Sequence, residues 1–223
     1  MREERLDIDG VPARLYDPGG ARGLLLFGHG GAHSKDGERF VQLCRLYAEG
    51  TGLAVVCIDA VDHGERRPDP AAAAGSLPPR WHSTAIPRMV RDWQGTAAAL
   101  AAVGPPVAYV GFSMGMIFGA PTVASMPSIR AAVFGVGGIP TGGGIDDPPL
   151  RDVLLGAASG LGHAEVLMLN VTRDDVFRTE EVHAFFDAVP GRRKRLMFWD
   201  GAHDEWPPEA IRHSVAFVRQ HAG

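Results

Sequence analysis

The pentapeptide Gly111-Phe112-Ser113-Met114-Gly115 constrains the fold of this chain more than any other stretch, because of the segments on either side of it. Residues 107–110 are apolar and typical of a buried strand, whereas residues 116–120 are typical of a buried helix. A serine on a sharp turn between a strand and a helix leaves no room for side chains two residues away, which accounts for the two glycines. The sequence therefore predicts a nucleophile elbow, with an incidental serine in a glycine-rich turn as the alternative.

The rest of the chain alternates between strand-like and helix-like patterns. Residues 2–8 and 11–16 flank Asp9-Gly10, which is the pattern of a β-hairpin with a two-residue turn. Apolar runs predict further strands at residues 23–27, 53–58, 129–136, 165–171 and 194–199, and the segments between them predict helices at residues 36–50, 84–103, 116–126, 180–188 and 207–221. Gly50 is expected to end the first of these helices.

Alternation at this spacing implies right-handed βαβ crossovers. We therefore predict one α/β domain over residues 1–223, with a doubly wound, mostly parallel sheet, helices on both faces and an N-terminal β-hairpin. Only residues 64–83 and 137–162 are free to cover the site, so we expect a minimal cap and an open, shallow cleft.

Composition narrows the class of protein. The chain has 223 residues, and 45% of them are hydrophobic, which is enough for a sizeable core. The net charge is −4, from 22 basic and 26 acidic residues, and no basic stripe stands out, so we expect no nucleic-acid partner. A charged N-terminus and the lack of an apolar run of about 18–20 residues argue against a secretory signal and membrane association. Cytoplasmic localisation is the expectation, with Cys44 and Cys57 as buried, unpaired thiols.

Three chemically useful side chains follow predicted strands in the order serine, aspartate, histidine. Ligands of open α/β sheets bind at the carboxyl ends of the strands, where Ser113, Asp174 or Asp175, and His203 all fall. A serine hydroxyl needs a base to take its proton, and the imidazole of that base needs a carboxylate to fix its tautomer. We assign these roles to His203 and to Asp174, with Asp175 as second choice.

An oxyanion that develops at the substrate carbonyl needs two backbone N–H donors. Met114, directly after the serine, is one candidate, and Gly31 or Ala32, after the strand at 23–27, is the other. His29 and His33 lie four residues apart, but without helical context or a carboxylate ligand we expect no metal site there. We expect His29 to hold the oxyanion loop by a local hydrogen bond.

Together these motifs resemble the α/β-hydrolase superfamily of serine hydrolases, and in particular compact esterases related to dienelactone hydrolase. The resemblance spans residues 23–221 and is carried by Gly28-His29-Gly30-Gly31, Asp59, Asp62-His63-Gly64, Gly111-Phe112-Ser113-Met114-Gly115, Asp174 and Gly201-Ala202-His203. The nucleophile of dienelactone hydrolase itself is a cysteine. Ser113 at that position points to ordinary ester chemistry.

The resulting expectation is a serine esterase that needs no cofactor or metal and acts on small carboxylic esters, as a monomer or a small homo-oligomer. Ala32, Phe112, Ile139 and Trp206 are the expected substrate-binding residues, and Trp81 and Met116 are further candidates for an apolar acyl pocket. The alternatives are a thioesterase or lactonase that uses the same three side chains, and a non-catalytic binding protein with the same fold.

Overall fold

The protein is described here from a computed structural model, which covers residues 1–69, 83–142, 145 and 147–222. The predicted pocket residue Trp81 and most of the proline-rich segment lie outside these ranges. Within these ranges the chain forms eight strands: β1 (Arg2–Ile8), β2 (Val11–Asp17), β3 (Leu24–Gly28), β4 (Ala54–Ile58), β5 (Pro106–Phe112), β6 (Ala131–Gly135), β7 (Glu165–Arg173) and β8 (Lys194–Ala202). The same described residues contain six α-helices: α1 (Glu38–Thr51), α2 (Ile86–Ala99), α3 (Met114–Ser125), α4 (Pro148–Ser159), α5 (Thr179–Ala188) and α6 (Pro208–His221).

The strands form one sheet in the order β1-β2-β4-β3-β5-β6-β7-β8. The β1–β2 hairpin is antiparallel, and so is the β2–β4 pair, whereas every pairing from β4 to β8 is parallel. This arrangement confirms the predicted N-terminal hairpin and the mostly parallel sheet. It also places the carboxyl ends of β3, β5, β7 and β8 on the same side of the sheet, and the predicted site residues follow these strand ends.

Helices cover both faces of the sheet, as a doubly wound sheet requires. One face packs against α2 to α5, through side chains such as Trp93, Leu154 and Phe185. The other face packs against α1 and α6, through Tyr47 and Phe217 among others. Strands β3, β4 and β6 are buried along their whole length, which explains their continuous apolar sequences.

The glycine predicted to end α1 is two residues too early. Gly50 lies inside the helix, which runs to Thr51 and is capped by Gly52. The φ of Gly52 is 73°, in the left-handed region, and its N–H donates to the carbonyl of Ala48 at 3.0 Å. Gly50 serves a different purpose, because a Cβ there would lie 2.4 Å from Cγ1 of Val215 on α6. The glycine at position 50 therefore permits close contact between α1 and α6.

The turn between β5 and α3 is packed so tightly that glycines are required around it. A Cβ on Gly111 would lie 2.4 Å from the carbonyl oxygen of Gly115, and a Cβ on Gly115 would lie 2.3 Å from that of Gly28. The phenol of Tyr109 donates to the carbonyl of Gly115 at 2.7 Å. The steric argument made from the sequence is thus confirmed, and it extends to β3, whose last residue touches α3.

Replacing Gly115 by alanine should destabilise the protein by about 3 kcal/mol, the upper end of the range for overpacked interiors, because the clash is with backbone. Gly95 provides the control, since it is exposed within α2 and a Cβ there meets nothing within 4 Å. Gly95→Ala should raise the free energy of unfolding by about 0.5–1 kcal/mol. Urea denaturation of both variants measures the contrast, and equal effects would contradict the close packing at Gly115.

Candidate active site

Ser113 occupies a strained turn at the carboxyl end of β5. Its φ of 54° and ψ of −118° lie outside the regions that a residue with a Cβ ordinarily adopts. Its N–H donates to the carbonyl of Gly135 on the neighbouring strand at 2.9 Å, and α3 begins with the next residue. The turn therefore fixes the serine between the sheet and a helix N-terminus.

Ser113, His203 and Asp174 lie in one hydrogen-bonded chain. Nε2 of His203 is 2.9 Å from Oγ of Ser113, and Nδ1 is 2.9 Å from Oδ2 of Asp174. An ionised carboxylate can only accept, so Nδ1 carries the proton and donates it to Asp174, which leaves Nε2 free to accept from the serine hydroxyl. This is the tautomer in which an imidazole can act as a base toward the serine.

Asp174, and not Asp175, lies next to His203. The side chain of Asp174 is 1% exposed, and its Oδ1 accepts hydrogen bonds from the N–H groups of Val176 and Phe177 at 2.8 and 2.9 Å. Both carboxylate oxygens therefore have partners, which fixes the orientation of the group. Asp175 faces solvent.

A short loop after β8 carries His203. The loop closes on itself, because the N–H of Ala202 donates to Oε2 of Glu205 at 2.8 Å and the N–H of Glu205 donates to the carbonyl of Ala202 at 2.9 Å. The imidazole stacks on the ring of Phe177, with a centroid separation of 5.8 Å and an interplanar angle of 26°. Sequence reasoning missed the contact with Phe177, for which the only signal was its position three residues after Asp174.

The two predicted oxyanion donors lie on segments that pack against each other. Met114 is the first residue of α3, so its N–H has no partner within the helix. The loop after β3 runs over the same turn, since a Cβ on Gly115 would lie 3.0 Å from the carbonyl oxygen of His29. Gly31 is partly exposed, and the neighbouring Ala32 is exposed with a φ of 60°.

His29 anchors the loop after β3, as the sequence predicted. Its buried imidazole, 1% exposed, lies 2.8 Å from the carbonyl of Gly30 through Nδ1 and accepts the N–H of Ala60 through Nε2 at 3.0 Å. These two bonds require the neutral form of the ring. Burial, the main cause, lowers the pKa of His29 to about 4 and so favours the same form.

A cluster of ion pairs around the buried Lys35 holds the far end of this loop. Lys35 is 1% exposed, and its Nζ contacts Asp36, Asp59 and Glu65. The fully buried Asp59 also accepts the backbone N–H of Lys35 at 2.8 Å. Burial opposes the charge on Lys35, but the hydrogen bonds and attraction from these carboxylates outweigh it and raise the pKa of the amine.

The four predicted substrate-binding residues differ in how far they are exposed. Ala32 is exposed, whereas Phe112 and Ile139 are each 2% exposed and belong to the two hydrophobic cores. A substrate would therefore meet these two side chains over only a small part of their surface. Trp206 is half-buried and stacks on Phe112, with a centroid separation of 4.3 Å.

Within the described residues, no group of three or more His, Cys, Asp or Glu side chains is arranged to hold a metal ion. No helix in the described part of the chain is long and apolar enough to cross a membrane. Cys44 and Cys57 are both free and buried, as expected from the sequence.

The sheet order, the helices on both faces and the strained serine turn after β5 define the α/β-hydrolase fold. No protein-family model matches the chain, and a search of curated proteins gives no match. Solved structures do match it over nearly its whole length.

One similar structure is a cold-adapted esterase from an Arctic intertidal metagenomic library, at 25% identity and a TM-score of 0.80, covering 98% of this chain and 92% of that one. TT1662 from Thermus thermophilus matches at 22% identity and a TM-score of 0.78, over 98% and 97% of the two chains. The Pyrococcus furiosus esterase Pf2001 matches at 17% identity and a TM-score of 0.77, over 100% and 93%. These similarities confirm the α/β-hydrolase resemblance inferred from the sequence.

The low pKa of His29 predicts a loss of stability in acid. The unfolded chain binds a proton near the ordinary pKa of 6.5, whereas the folded chain does so only near 4. The free energy of unfolding should therefore fall as the pH drops from about 6.5 to about 4, with His29 contributing up to about 3 kcal/mol. Urea denaturation at several pH values across this window measures the slope.

His29→Gln should show a shallower slope than the wild type, because an amide does not titrate. His213→Gln, at a surface position on α6, is the control and should still lose stability in acid, because His29 is intact in that variant. A His29→Gln protein that loses stability with acid as steeply as the wild type would contradict the neutral, buried state of His29.

Proposed function

We propose that this protein is a serine hydrolase that cleaves small carboxylic esters through an acyl-enzyme. The observation that carries the proposal is the hydrogen-bonded chain from Ser113 through His203 to Asp174, with 2.9 Å at each step. Two of the three similar solved structures described above are named as esterases, which supports the same chemistry. The proposed reaction needs no cofactor.

In the first half-reaction, Oγ of Ser113 attacks the ester carbonyl carbon while Nε2 of His203 takes the hydroxyl proton. The negative charge moves to the carbonyl oxygen, which the N–H groups of Met114 and Gly31 stabilise. Asp174 stabilises the imidazolium that forms. When the tetrahedral intermediate collapses, His203 returns the proton to the leaving alkoxide, and the acyl group remains on Ser113.

In the second half-reaction, a water molecule gives its proton to His203 and attacks the acyl carbon. The new tetrahedral intermediate uses the same two N–H donors. Its collapse releases the carboxylic acid and returns the proton to Oγ of Ser113. His203 thus acts first as a base and then as an acid in each half-reaction.

We propose short acyl chains as the substrates, because only short segments of the chain are free to cover the site. A pocket of about 250 Å³ lies between the loop after β6 and the start of α4. Its lining is mixed and includes Asp147 and Arg151 as well as Ile139, Ile145 and Leu150. None of the three proposed catalytic side chains lines this pocket, so the preference for short chains does not rest on it.

A panel of chromogenic esters of graded chain length tests the proposal. The wild type should hydrolyse the short-chain esters, and Ser113→Ala should lose this activity. Asp174→Asn should lower kcat by about 10⁴-fold, because the amide favours the wrong imidazole tautomer. The matched control, Asp175→Asn at the adjacent exposed residue, should stay within about twofold of the wild type.

Full ester hydrolysis by folded Ser113→Ala would overturn the proposed mechanism. A folded wild type that hydrolyses none of the panel would instead favour a non-catalytic binding protein. Matched short-chain oxygen esters and thioesters, assayed side by side, separate the proposed esterase from a thioesterase that uses the same residues.

A further inference from the structure

Trp206 makes three contacts that connect the loop carrying His203 to the end of β5, next to Ser113, and to α1. Its Nε1–H donates to the backbone carbonyl of His203 at 2.7 Å. Its indole stacks on the ring of Phe112, at 4.3 Å and an interplanar angle of 14°. The guanidinium carbon of Arg39 lies 3.6 Å from the centroid of the same indole.

Phe112 and Arg39 must cover opposite faces of the indole, because two groups at these distances would overlap on one face. Neither face is then left for a substrate chain, and the N–H is used by His203. The sequence-based expectation that Trp206 binds substrate does not fit this arrangement.

We propose that Trp206 is a positioning residue, which holds His203 at hydrogen-bonding distance from Ser113. The proposal rests on the proposed function, because it concerns the geometry of the same proton transfer. Phe112 directly precedes Ser113 in the chain, so a single indole connects the nucleophile turn to the backbone of the base.

Arg39 completes the attachment from α1. Its guanidinium nitrogens Nη1 and Nη2 each donate to the backbone carbonyl of Asp204 at 3.3 Å. The same guanidinium that covers the indole therefore also holds the residue after His203. The loop at 203–206 is fixed to β5 through Phe112 and to α1 through Arg39.

The location of His203 explains why such an attachment is needed. Ser113 follows a central strand, whereas His203 follows β8, one of the two outermost strands of the described sheet. The β7–β8 pairing is also irregular just before the histidine, with a shift in register between Val171 and Arg173. The strand ladder therefore does not by itself fix the loop, and a displacement of about 1 Å can cost about 10²-fold in rate.

The test is Trp206→Phe, which keeps a ring to stack on Phe112 and removes the N–H donor. A positioning role predicts that kcat for a short-chain p-nitrophenyl ester falls about tenfold, while KM stays within about twofold. The rate of Ser113 labelling by a fluorophosphonate should fall by the same factor. Trp199→Phe is the control, because it makes the same substitution at a half-buried tryptophan of β8 that lines a common cavity with Trp206 and Phe112. The hydrogen bond to the carbonyl of His203 comes from Trp206, so Trp199→Phe should behave like the wild type.

Arg39→Leu removes the contacts of the guanidinium with Asp204 and with the indole of Trp206. It should also lower kcat and leave KM within about twofold of the wild type, and it tests the inference if Trp206→Phe does not fold. A rise in KM that depends on acyl-chain length, with kcat retained, would show that Trp206 binds substrate and would overturn the inference. Unchanged kcat and KM in both variants would overturn it as well. A wild type without esterase activity would overturn the proposed function and this inference together, whereas an active wild type with unaffected variants would overturn this inference alone.

Discussion

The close backbone contact between the end of β3 and the start of α3 is the constraint on which the site depends. Gly28 and Gly115 can approach this closely only because neither carries a Cβ. The contact brings the loop after β3 against the turn that carries Ser113, so one packing arrangement places both the serine and the two proposed oxyanion donors. A methyl group at Gly115 would separate these segments and with them the parts of the site.

Around this contact, buried polar groups fix the loop at positions 28–35 from several directions. His29 links it to the loop after β4 through the N–H of Ala60, and Lys35 links it to the carboxylate of Asp59 in the same loop. Removing one partner of such a buried pair is costly, because the other charge is left without compensation. The loop is therefore held in place before a substrate binds, as stabilisation of a developing charge requires.

The sequence was sufficient to predict most of the fold and the three side chains that meet at the carboxyl ends of the strands, because these depend on local patterns. The sequence alone shows the two elbow glycines, the alternating apolar segments and the order of Ser113, Asp174 and His203. Features that depend on distant partners were not predictable. The contact that explains Gly50 is with Val215, 165 positions away, so nothing near Gly50 in the sequence indicates it. Likewise, nothing near Trp206 in the sequence indicates its contacts with Phe112 and Arg39.

The central claim is that Ser113 is the nucleophile and that His203 activates it. The most direct measurement is mass spectrometry of the folded protein after treatment with a fluorophosphonate, followed by mapping of the modified peptide. The account predicts a single adduct on Ser113, formed far more slowly in His203→Ala. An adduct on a different residue, or none on the folded wild-type protein, would contradict it.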